Sequence, residues 1–78
     1  MAEKMDAVQE LHMSCVRELR SYIAEANQTC KLLTQVTEFP VSPNLRVSML
    51  EQRQRENLAY DRYQDARRRL FDAARWQD

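Results

Sequence analysis

The chain contains no glycine. Glycine is the residue that enters positive φ without steric cost, and hairpin turns, phosphate-cradling loops and many helix caps depend on it. A chain of 78 residues without one, and with only two prolines, is left with long uninterrupted elements and an open connection. Ala, Leu, Glu, Gln, Arg and Met dominate those elements, and all are good helix formers. The expected class is all-α. At this length residues 1–78 make one small domain, whose own core is marginal.

Twelve basic and twelve acidic residues cancel, which argues against a dedicated binder of nucleic acid or anionic membrane. The balance differs along the chain. Residues 1–39 hold four basic and six acidic side chains, and residues 40–78 hold eight basic and six acidic. The halves are weakly complementary, as two packed helices could be. No apolar run approaches the roughly 20 residues needed to span a bilayer. The opening "MAEKMDAVQELH" is too polar for a signal peptide. The expected location is intracellular, in the cytoplasm, where the sequon Asn27-Gln28-Thr29 has no glycosylation route. Cys15 and Cys30 fall on one helix about 22 Å apart, beyond the ~7 Å reach of a disulfide. They read as two small buried apolar residues, with an intermolecular disulfide or redox role the alternative.

A first periodic stretch runs from about Ala2 to Thr37. Met5, His12, Leu19, Ala26 and Leu33 recur every seven residues. Val8, Cys15, Tyr22, Thr29 and Val36 form an offset row, and Val16, Ile23 and Cys30 widen the stripe. Three apolar positions per heptad mark a helix that faces more than one neighbour. A turn follows at about 38–42, in "TEFPVSPN", where Pro40 and Pro43 interrupt helical hydrogen bonding. Ser42 reads as an N-cap with Pro43 at the first helical position. Ser42-Pro43 also has the form of a proline-directed phosphorylation site; the helix start is the simpler reading.

The second helix is expected over about 43–75. Its stripe is Leu45, Met49, Ala59, Tyr63, Ala66, Leu70, Ala73 and Ala74. Exposed pairs at four-residue spacing, Glu51/Arg55, Asp65/Arg69 and Arg68/Asp72, support its outer side by a few tenths of a kcal/mol each. Both helices would be roughly 50 Å long, and a short connection makes them antiparallel neighbours. The expected monomer is a coiled-coil-like two-helix hairpin.

Within the second helix, "EQRQREN" (51–57) has no apolar side chain. It lacks Gly and Pro, so it does not break the helix. Gln52 and Glu56 fall on the inward stripe, with Arg53 and Arg55 more exposed. Antiparallel pairing sets them opposite "ANQTC" (26–30), where Asn27 and Thr29 are polar. A buried polar layer of Asn27, Thr29, Gln52 and Glu56 weakens a seam and fixes its register.

A hairpin buries only its seam, and apolar side chains remain. Val47, Leu58 and Trp76 share an azimuth away from the main stripe; Leu50 and Phe71 lie at its margins, and Tyr60 at its edge. Together they favour a second contact surface. Pairing of two hairpins into a four-helix bundle is the simplest solution, and docking on another helical protein the alternative. Arg67, Arg68 and Arg69 fan out around the helix, with Asp65 and Asp72 beside them. They read as a solvated face first and a contact for an acidic partner second.

Chemistry has little to stand on. His12 is the only histidine, with Cys15 the only other ligand type nearby, and no Ser/His/Asp set or glycine-rich loop exists. No enzyme, catalytic residue, metal or cofactor is expected. In outline the chain resembles the antiparallel helical-hairpin modules of Rho effectors and of coiled-coil adaptors, though no sequence motif carries that likeness. The expected function is non-enzymatic protein–protein interaction or assembly, as adaptor or scaffold. The resemblance implies an alternative, a small-GTPase-binding effector hairpin. A basic helix touching nucleic acid or anionic lipid through Arg62, Arg67, Arg68, Arg69 and Arg75 ranks after both.

Overall fold

The computed structural model describes residues 6–75. Two helices, α1 (Ala7–Thr34) and α2 (Pro43–Arg75), pack side by side in antiparallel orientation. No strand occurs among the described residues.

α1 opens at Ala7, later than the expected Ala2, because Asp6 caps it. Asp6 holds φ −60 and ψ 143, outside the helical region. Its carboxylate accepts the Val8 N–H at 3.0 Å, and Gln9 Oε1 accepts the Asp6 N–H at 3.1 Å. That reciprocal box satisfies donors the helix itself leaves orphaned. α1 ends at Thr34, three residues before the expected Thr37. Without glycine, no left-handed cap forms: no described residue has positive φ. The last turn tightens instead, with the Gln35 and Val36 N–H groups donating to Leu32 and Leu33 carbonyls at 3.0 and 3.2 Å. The connection therefore runs over 35–42, longer than the expected 38–42. α2 then starts on Ser42, whose Oγ accepts the Leu45 N–H at 3.4 Å, with Pro43 in the first helical position.

The seam follows alternating steps of three and four. On α1 the inward rows are Val8, Leu11, Cys15, Glu18, Tyr22, Glu25, Thr29 and Leu32, all half-buried. On α2 they are Leu45, Met49, Gln52, Glu56, Ala59, Tyr63, Ala66, Leu70 and Ala73, while Ala74, expected on the stripe, is exposed. The α1 stripe needs correcting. His12, Ile23, Cys30 and Leu33 are exposed; Leu19 and Ala26 are only flanking. A helix with a single neighbour turns only two of three competing rows inward. The row through Leu11 and Leu32 takes the place of the row through His12 and Leu33.

Packing depth is small. Among the described residues only Gln52 (3% exposed), Ala59 (6%) and Ala66 (8%) are buried. The two alanines let the backbones approach closely. The larger aromatic side chains stay partly exposed: the Tyr22 ring meets Tyr60 edge-on at 5.2 Å and lies parallel to Tyr63 at 6.3 Å. The molecule measures 61 × 24 × 14 Å, and the shortest dimension is close to one helix diameter of ~10–12 Å. Both broad faces of this single layer are therefore open.

Candidate interaction surface

The two broad faces differ. One carries the α1 rows His12, Leu19, Ala26, Leu33 and Val16, Ile23, Cys30, and on α2 the flank containing Leu50, Arg53, Tyr60 and Phe71. A groove lined jointly by Leu32, Leu33, Leu50 and Arg53, and the Tyr22–Tyr60 contact, put these flanks on one side. Large apolar side chains stand exposed there: Ile23 at 48%, Leu33 at 53%, Leu50 at 54%, Tyr60 at 42% and Phe71 at 57%. The other face joins Ser14, Ser21 and Ala24 of α1 to Arg55, Arg62 and Arg69 of α2, with Leu58 the large apolar side chain among them.

That arrangement redistributes the residues expected to bind a partner. Leu50, Tyr60 and Phe71 lie on the apolar face. Leu58 lies on the charged one, lining a groove with Ser21, Ala24, Arg55, Ala59 and Arg62. Val47 is exposed, two residues from Leu45 and Met49 of the seam, and so points away from α1. Val47 and Leu58 are both exposed and lie off the seam. Trp76 lies outside the described residues. Ile23 and Leu33 were expected inside; their outward position makes them the α1 half of the face. Phe39, at the tip of the turn, is the most exposed large apolar residue at 84%.

The three consecutive arginines take three directions. Arg68 and Arg69 both hold Asp65, at 2.6 and 3.0 Å. Arg68 thereby turns toward Asp65 rather than its expected partner Asp72, and Glu51 and Arg55 stand exposed without pairing to each other. These exposed ion pairs contribute little to stability. Arg67 instead places its guanidinium carbon 5.4 Å from the Phe71 ring centroid, a cation–π contact.

Of the polar residues near the seam, Gln52 is the most buried. Its Nε2 donates to the Glu25 backbone carbonyl at 2.9 Å and reaches the Glu25 carboxylate at 3.4 Å. Thr29 Oγ1 donates to the same carbonyl at 3.2 Å. Glu56 is half-buried in the groove with Thr29 and Leu32. Asn27 is exposed and is no part of this layer; Glu25 stands in the place expected of it. Asn27 lies two residues from Glu25, which swings it to the outer side of α1.

His12 is exposed, and no group of three His, Cys, Asp or Glu side chains among the described residues could hold a metal ion. Likewise no helix among them is long and apolar enough to cross a membrane. Comparison with protein-family models, curated proteins and solved structures returns no match for this chain.

Proposed function

We propose that this chain is a non-enzymatic interaction and assembly module, an adaptor or scaffold element that acts by packing its apolar face against further helices. The observation that carries this reading is the missing core. Among the described residues no large side chain is fully buried, while Ile23, Leu33, Leu50, Tyr60 and Phe71 stand 42–57% exposed on one side of a single helical layer. An apolar face of this breadth is completed by a second layer, and two added helices make a four-helix bundle. Those helices come from a second copy of the chain or from a different protein.

Thermal unfolding followed by circular dichroism tests the reading. The probe is an amphipathic peptide with leucines at i, i+3, i+4 and i+7 flanked by glutamine. If the face docks helices, peptide at ~100 times its Kd adds about 2.7 kcal/mol. For a domain of this size that raises Tm by roughly 10 °C or more. Ile23→Ser with Phe71→Ser abolishes the rise, and Val47→Ser leaves it intact. A Tm that climbs with the chain's own concentration identifies the second copy as the added layer. A Tm insensitive to both peptide and chain concentration contradicts the proposal.

A further inference from the structure

We propose that the apolar face is built for an acidic amphipathic helix of another protein, not for a second copy of this chain. This deepens the docking reading above and rests on it. The α2 row beside the seam on that face reads Arg46, Arg53, Tyr60, Arg67 and Ala74. The α1 row across from it reads His12, Leu19, Ala26 and Leu33. Neither row holds a carboxylate, and none of the three arginines forms an ion pair among the described residues.

The imbalance is confined to this side. On the opposite face, the arginine row Arg55, Arg62 and Arg69 is bordered by Glu51, Asp65 and Asp72, and the Asp65–Arg69 pair is formed. The cations without an ion pair therefore coincide with the exposed apolar side chains; the acid in their groove, Glu56, is half-buried in the seam and forms no ion pair with Arg53. Arg67 is held there by Phe71, and Arg53 lines the groove beside Leu33 and Leu50. Both stand where a docked helix would sit.

A second copy laid on this face doubles the three arginines and adds a single carboxylate, the half-buried Glu56 of the seam. Desolvating unpaired guanidinium groups opposes that association strongly. A helix with an apolar stripe flanked by glutamates fills the groove and gives each arginine a carboxylate, the group its fork binds best. An anionic bilayer also offers negative charge. However, Asn57 lies exposed between Leu50 and Phe71 on the same flank, and acyl chains leave such an amide without a partner.

Fluorescence anisotropy with the full chain decides this. Three labelled helical peptides share one leucine stripe, flanked by glutamate, glutamine or lysine. The glutamate peptide binds tighter than the lysine peptide by about tenfold or more, and raising the salt narrows the gap. Arg53→Glu with Arg67→Glu, checked for retained helicity, reverses the order. Equal affinity for all three peptides overturns the acidic partner while leaving the docking face standing. A dimer by light scattering with no peptide binding has the same consequence, as it names the second copy as occupant. Binding to phosphatidylserine vesicles but to no peptide overturns both readings.

Discussion

Gln52 spends its hydrogen-bonding capacity on an acceptor that does not depend on it. The Glu25 carbonyl also receives Thr29 Oγ1, so losing the glutamine leaves no orphaned carbonyl. Its contribution then divides into filled volume and a fixed pairing of Gln52 with Glu25. Gln52→Ala removes both and should cost about 1–2 kcal/mol in urea unfolding. Gln52→Leu keeps the volume and should cost less than about 1 kcal/mol, because buried polar groups trade evenly with well-packed apolar ones. If Gln52 sets the register, the leucine variant shows extra amide cross-peaks in its NMR spectrum despite its stability. A single clean set of peaks would count against a register role. Charge at this scale matters less: Asp65 with Arg68 and Arg69 is a solvent-exposed cluster, worth tenths of a kcal/mol.

Each helix was legible to a different extent. α2 was the easier to read, because Leu45, Met49, Ala59, Tyr63, Ala66, Leu70 and Ala73 keep 3–4 spacing on either side of "EQRQREN", with Ala74 the stripe residue that turns out exposed. Ala59 and Ala66 are buried in the seam, and enlarging either to leucine should destabilise the hairpin by about 1–3 kcal/mol. Chemical denaturation would read that directly, and a neutral outcome would mean the backbones are farther apart than their 6% and 8% exposures imply. α1 was harder to read. Three apolar rows compete, and the inward one contains Glu18 and Glu25, which no apolar pattern selects. Their stems cover the seam while their heads reach its edge, as long charged side chains do. The choice between Leu11/Leu32 and His12/Leu33 is made by α2, so sequence periodicity within α1 could not supply it. The glycine-free composition did foretell a connection without positive φ, though not its length.

At the scale of the whole molecule, a two-helix layer 14 Å thick has no inside. Its apolar side chains must choose between a shallow seam and an open face, and this chain populates both. The face was visible in the sequence as an excess of apolar rows; its position became clear only when the seam claimed two of them. The central claim is that the side bearing Ile23, Leu33, Leu50, Tyr60 and Phe71 is the docking surface, whatever helix occupies it. Amide chemical-shift mapping during titration with the glutamine-flanked peptide tests that claim without presuming charge. The account predicts perturbations clustered on α1 around Ile23 and Leu33 and on α2 around Leu50, Tyr60 and Phe71, with residues around Ser21 and Leu58 unmoved. Shifts centred on the Ser21–Leu58 side, or spread evenly over both faces, would contradict it.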